Sequence, residues 1–375
     1  MNDHELIDWL LQYGGPIIQY RTATELLDSN TGIDIEKITR KLIDNDKVKK
    51  LLERFNDYEH VSGYHFYSFN SIHSATGLEG IIARLLEYGL KSGLPVFDSK
   101  MHRLKQFIAN KHVSDALSPT NKNDIIGYRA IFLGTLAVSY LFRGGYYYEE
   151  AVEYAIKRLK LLNMVVTRKV FDIYLDDNEL IHNSRRPKRW DDIPVIQPRH
   201  NPGSSEMPLP GIHDIFALAY FPKRYADDEI TKQILDIVDY VLDQRFQKLH
   251  PMYGLLWYES SKVYHLCNWK PEIPCLDMFD NMYQRNTLLL YMDLMSHFSN
   301  IRQSQWFHNC LLFLEQFKTS DGTYIFPPEY LKDVNGGVYV CGQAMGLGEN
   351  RRSKISYELE STFRMLLIKK RIHNS

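Results

Sequence analysis

A chain of 375 residues, 44% hydrophobic and 24% charged, has the composition of a globular protein large enough for two domains or one big one. Its formal charge of −1 leaves no global field to draw it to nucleic acid or anionic lipid. Its four cysteines, Cys267, Cys275, Cys310 and Cys341, make no CxxC pair and no finger-like spacing with histidine, which argues against a disulfide framework or a zinc site.

The opening MNDHELIDWLL has no basic stretch ahead of an apolar core, so it does not read as a signal peptide. No apolar run reaches the ~18 residues that a membrane-spanning helix needs. The expectation is a cytoplasmic protein without a transmembrane segment. Trp9 to Leu11 end a short helix, Gly14-Gly15-Pro16 interrupt it, and Ile17 to Leu27 begin another with Pro16 close to its first turn. Lys37 to Phe55 reads as one charged amphipathic helix. The patch His60 to Ser74 mixes imidazoles and rings, among them Tyr64 and His73, which makes these two candidates for ligand contact. Helices follow over Gly77–Leu90, Met101–Ala109, Ile125–Phe142 and Glu149–Leu162.

The last two helices form the centre of the pattern. Ile131, Leu133, Leu136, Ala137, Tyr140 and Leu141 place apolar groups on nearly every side, which predicts a buried helix. Gly144-Gly145 breaks it, and Glu149 and Glu150 open a half-exposed partner with Lys157, Arg158 and Lys160 near its end. A buried helix hairpinned to an outer one predicts a shell of inner and outer helices.

Asp176, Asp177 and Glu179 form the densest acidic group, a weak candidate for magnesium because hard cations want oxygen ligands; no cofactor is otherwise expected. The stretch from His182 to Gly211 carries six prolines, which exclude helix and disfavour a ladder, and it reads as a long basic loop and a candidate lid. Beyond it, Ile212–Tyr220, Asp227–Lys248, Asn281–Phe298, Ser304–Phe317 and Ser353–Ile372 read as helices. The extended stretches Gly254–Tyr258 and Thr323–Phe326 are too short and isolated to predict a sheet. With no Ser/Gly-rich linker, the sequence predicts a single all-α domain over residues 1–375.

Four residues are catalytic candidates. His213 and Asp214 start a helix just after the long loop, and Asp277 and Asp280 lie in CLDMFDNMYQRN with Tyr283 beside them as a ligand-contact candidate. Either acidic group fits a helix cap equally well. Two carboxyls of unequal pKa would serve glycoside cleavage, with Trp257 as a stacking ring. Glu349, Arg351, Arg352, Glu358 and Glu360 flank the last helix and read as an exposed ion-pair network, in which Arg352 pairs with Glu358; the alternative is that Arg352 clamps a phosphate or carboxylate.

A repeat adds to this picture. Ile234–Leu249 then HPMYGLLWY is similar to Leu311–Phe317 then KTSDGTYIFPP: each is an apolar helix near Gln247 or Gln316, a turn at Gly254 or Gly322, and an aromatic residue, Trp257 or Tyr324. The arrangement resembles a worn form of the repeat of squalene–hopene cyclases and protein prenyltransferases. WLLQYGGPIIQYRTATELL and NRRSKISYELESTFRMLLIKK resemble the opening and closing segments of a bacterial squalene-cyclase-like group in that superfamily. The resemblance implies an α/α toroid, an inner and an outer helix ring around an aromatic-lined cavity that holds an apolar, isoprenoid-like ligand. The Asp-x-Asp-Asp acid of the cyclases is absent, and Cys275-Leu276-Asp277 reverses the Asp-x-Cys of the prenyltransferases, so neither named activity carries over. A carbohydrate-active (α/α) barrel and a non-catalytic binding or scaffold protein remain the alternatives.

Overall fold

The computed structural model describes residues 1–27, 32–58, 77–115, 125–176, 185–201, 206–259, 262–267, 270–274, 282–333 and 345–373, with the isolated positions 61, 117 and 204; the side chains of 112, 114, 125–128 and 282–286 fall outside it. The described residues are mostly helical, with a single two-stranded sheet. Backbone contacts divide the chain into two compact units, Met1–Lys100 with Pro274–Ser375, and Met101–Ile273. The first unit is discontinuous in sequence, and a chain that leaves one core and later returns to it needs no flexible linker.

In the first unit, α1 (Asp3–Tyr13) starts at a capping box: the Asn2 side chain accepts from the N–H groups of His4 and Glu5 at 3.0 Å, and Glu5 accepts from Asn2 N–H at 2.8 Å. Gly15 caps α2 (Pro16–Arg21), whose last turn widens into a π-helical segment, Thr22–Leu26. The single charged helix expected over Lys37–Phe55 is two helices, α3 (Ile35–Ile43) and α4 (Asp46–Asn56). Asn45 separates them because its side chain accepts from Lys47 N–H at 3.0 Å and starts a new helix.

Helix α5 (Leu78–Glu87) is buried at every position but Gly80, including Glu79, Arg84 and Glu87, and packs on α4. It ends at Gly89, whose φ of +91° suits glycine. Helix α6 (Pro95–Ile108) begins in this unit and runs on into the second, which also holds the short α7 (Lys111–Asp115). Near the C-terminal end of the unit, the last helix, Ser356–His373, packs against α1, α2, the π segment and the helix Met282–Met295. It is buried without interruption from Leu359 to Ile368, charged residues included.

The second unit carries the expected hairpin: α8 (Ile125–Arg143), a Gly144-Gly145 turn and α9 (Glu149–Thr167). Gly134 lets the two helices approach, since a Cβ there would sit 2.5 Å from the Tyr154 hydroxyl, which donates to Ile131 O at 2.7 Å. Helix α10 (Ile212–Ala219) packs on α8, and α11 (Asp228–Leu242) packs on α9 before the short α12 (Gln244–Gln247).

A sheet forms where none was expected. Strands β1 (Leu255–Tyr258) and β2 (Val263–Leu266) pair antiparallel, with Leu255 opposite Leu266 and Tyr258 opposite Val263. The proline-rich loop supplies the rest, because Val195 bridges Leu255 and Ile196 bridges Tyr174. Val195, Leu255 and Tyr264 make the small apolar cluster that fixes the register. The described part of this loop is therefore held in the unit by its buried Val195, Ile196, Met207 and Leu209.

Helix α13 (Met282–Met295), α14 (Ser299–Arg302), α15 (Gln305–Glu315) and α16 (Ser356–His373) complete the first unit. The two copies of the sequence repeat differ in how they use glutamine. Gln247 donates to Val241 O at 2.7 Å and Pro271 O at 3.0 Å and accepts from Ile273 N–H at 3.1 Å, tying the end of the helical segment to the chain beyond the hairpin. Gln316 is exposed. Gln247→Ala is expected to lower unfolding stability by about 2 kcal/mol, because partly buried backbone groups lose their partners. Gln316→Ala is expected to stay within about 0.5 kcal/mol of wild type. Urea melts of both variants check the asymmetry, and equal losses would contradict it.

Candidate ligand site

The sequence candidates fall in different places. Tyr64, His73, Asp277, Asp280, Asp177 and Glu179 lie outside the described residues, and Tyr283 is in α13 with its side chain outside the description. Among the described residues, no group of three or more His, Cys, Asp and Glu side chains could hold a metal ion. Asp176 is described and exposed. Trp257 is half-buried in β1, with Arg185 over its ring and its indole N–H donating to Glu259. Arg352 is exposed; Arg351 beside it carries the interactions, donating to Glu360 Oε2 at 2.8 Å and to Leu331 O at 2.7 Å.

Asp214 is occupied inside its own unit. Arg158 Nε and Nη2 donate to its two oxygens at 2.9 and 3.0 Å, and Gly211 N–H donates to Oδ2 at 2.7 Å. The carboxylate thus caps α10 and neutralises a guanidinium, with side-chain exposures of 5% for Arg158 and 2% for Asp214. His213 faces the edges or faces of Phe132 and Tyr140, at centroid distances of 5.7 and 6.1 Å. Burial drives its imidazole pKa down to about 3, so it stays neutral at physiological pH.

The first unit holds two further features, a charged network and a cleft. The interior is a charged network centred on α16. Arg21 grips Glu25 through two bonds of 2.6 and 2.8 Å and reaches Glu87 Oε1 at 3.2 Å, and Arg364 Nη2 meets the same Glu87 oxygen at 2.5 Å. Arg371 pairs with Asp293. At the other end of α16, Glu360 accepts from Arg351 and from Glu349 N–H. Glu349 accepts from Gly15 N–H at 2.8 Å, and its carboxyl pKa is pushed up to about 7, first by burial and then by the Glu360 charge. An exposed ion-pair set was expected here; burial of Glu360 and Arg364 makes it an interior one.

The second feature is a cleft of about 490 Å³ formed by the π segment, α3 and the turn after α5. Tyr20 and Thr24 line one wall, Ile35 and Thr39 the other, and Arg40 and Lys91 border it. Ile35 is 41% exposed, unusual for a large aliphatic side chain in a concave site. Arg40 shares its charge with Glu36 at 3.3 Å, whereas Lys91 is exposed with no carboxylate partner among the described residues. The Thr24 and Thr39 hydroxyls donate to backbone carbonyls one turn back, so their donors are already used within the helix. An apolar trough with cationic edges can take an amphiphile whose head is anionic. Arg21, between Tyr20 and Thr22, joins the cleft wall to the interior network.

No family model, curated protein or solved structure matches this chain. Among the described residues, no helix is long and apolar enough to cross a membrane.

Proposed function

We propose that the protein binds a small amphiphilic ligand, an apolar isoprenoid-like chain with an anionic head, on a helical scaffold of the terpenoid-cyclase and prenyltransferase-like kind. In this reading the helix pairs close an α/α ring. The α8–α9 hairpin, the mostly helical chain and the opening and closing sequence segments support it. The observation that carries the ligand assignment is the cleft in the first unit, whose lining includes exposed Ile35 together with the cationic residues Arg40 and Lys91. The chain would lie along Tyr20, Ile35 and the threonine side chains, and the head would meet Lys91. The reading assigns binding alone. Asp214 takes no part in it, since its oxygens are held by Arg158 and Gly211.

The test is calorimetric titration with farnesyl monophosphate, farnesol and inorganic phosphate. Farnesyl monophosphate is expected to bind most tightly. Lys91→Glu should weaken it about tenfold while leaving farnesol unchanged, and Ile35→Asp should weaken both prenyl ligands. Equal binding of farnesyl monophosphate to wild type and both variants would remove the cleft from the assignment.

A further inference from the structure

We infer that the basic turn Arg185–Trp190 of the proline-rich loop, in the second unit, is a docking surface for an acidic segment of a partner protein. Four cations, Arg185, Arg186, Lys188 and Arg189, fall within five positions around Pro187. The segment folds as a single 3-10 turn, Lys188–Trp190, in which Trp190 N–H donates to Pro187 O at 2.8 Å. Arg186 turns its donors to the backbone: Nε meets Trp190 O at 2.8 Å and Nη2 meets Ile193 O. It therefore fixes the turn and leaves the other three cations to the surface.

Two of those three are held over indole rings. Trp257 and Tyr264 lie opposite each other on one face of the β1–β2 hairpin, and Trp190 and Trp257 both pack on the cluster of Val195, Leu255 and Tyr264. The Arg185 guanidinium lies 5.9 Å from the centre of the Trp257 ring, and that of Arg189 lies 4.9 Å from the centre of Trp190. One apolar cluster thus brings both cation–ring pairs to the same part of the unit. A guanidinium stacked on a ring keeps its edge donors for an oxyanion and has already lost part of its rotamer freedom, which lowers the cost of binding. Arg185, Lys188 and Arg189 are exposed and form no ion pair with a described carboxylate.

Charge and ring placement select the partner. Asp191 and Asp192 follow the turn, and Glu259 and Lys262 close the hairpin; with the four cations of the turn, five positive groups stand near three negative ones. An excess of two suits a segment with two or three carboxylates better than a nucleic acid, whose phosphates are far denser and would meet both aspartates. Stacked bases need open rings, and these indoles already carry guanidinium groups. Val263, 40% exposed, pairs with Tyr258 and so lies on the opposite face of the hairpin from Trp257, where it gives this surface no apolar anchor for a bilayer.

The experiment uses the full chain and a fluorescein-labelled decapeptide of alternating glutamate and glycine, with the glutamine counterpart and a decameric oligothymidylate as competing probes, read by anisotropy at fixed ionic strength. Saturable binding of the glutamate peptide alone is expected, weakening as salt is raised. Lys188→Glu should weaken it about tenfold and still fold, because Lys188 makes no hydrogen bond or ion pair among the described residues. Arg185→Gln with Arg189→Gln should remove it. Lys223→Glu, a reversal on another exposed turn of the same unit, should leave it within about twofold. The inference is overturned if the glutamine peptide binds equally, if Lys188→Glu binds as wild type does, if Lys223→Glu costs as much as Lys188→Glu, or if oligothymidylate binds more tightly than the glutamate peptide.

Discussion

Asp214→Asn is expected to destabilise the protein by about 3–5 kcal/mol, the cost of leaving one member of a buried ion pair without the other. Arg158 would keep its charge in a site with 5% side-chain exposure while losing its counter-charge and the Nε contact to Oδ1. Asn retains one oxygen for Gly211 N–H, so the cap survives in part and the ion pair dominates the loss. Against a total of roughly 5–15 kcal/mol for a domain, such a change approaches global unfolding at physiological temperature. The compensating variant Arg158→Met with Asp214→Leu should regain most of the stability, because apolar side chains of similar volume avoid the desolvation of both charges. Urea unfolding of the two singles and the double gives the coupling directly. The opposite pattern, a stable Asp214→Asn protein with lost ligand turnover, would make Asp214 a catalytic acid and displace the structural assignment.

That outcome bears on what a linear pattern can reveal. The α8–α9 hairpin was legible because everything that specifies it is local: an apolar run, two glycines, then acids at a helix start and bases near its end. The break between α3 and α4 was hidden because Asn45 sits in a charged stretch where one more polar residue carries no contrast. The small sheet escaped because its strands are four residues long and its third contributor, Val195, comes from a proline-rich segment about sixty positions earlier. Asp214 itself was legible as a helix-start acid, and its partner was not, since Arg158 lies 56 positions away.

The ligand residues show the same limit more sharply. Ile35 falls just ahead of the charged helix read over Lys37–Phe55, and Lys91 is one lysine among many in the sequence. Only folding brings them to the lining of one cleft. In YELESTFRMLLIKKR, Glu360, Arg364 and Arg371 recur at helical spacing, which ordinarily marks a solvated face. The partners that make it an interior face, Glu87, Asp293 and Arg351, come from α5, α13 and the preceding turn. A single sequence carries no record of such pairings.

Glu349→Gln is expected to make the protein more stable at pH 8 and to leave it nearly unchanged at pH 5. The Glu349 carboxyl titrates near 7 in the folded protein against an ordinary 4.5. Between those values the folded state holds a proton that the unfolded state has lost, so the contribution of this group to stability falls as pH rises, and the penalty is complete above about 7. The shift corresponds to an upper limit of about 3 kcal/mol, shared with Glu360, whose carboxyl is also raised by burial. Gln keeps an oxygen for Gly15 N–H and removes the charge, so the penalty disappears while the contact remains. His213 works in the other direction: its imidazole, neutral in the fold down to about pH 3, makes stability fall as pH drops below its ordinary 6.5. The wild-type profile therefore combines two opposing slopes, and the difference between wild type and Glu349→Gln isolates one. Chemical denaturation at pH 5, 6, 7 and 8 should give a difference that grows across this range and levels off. Parallel curves would mean that Glu349 is ionised throughout, with Arg351 and Lys47 outweighing its burial, and the seam it forms with Gly15 would then be an ordinary ion-paired one.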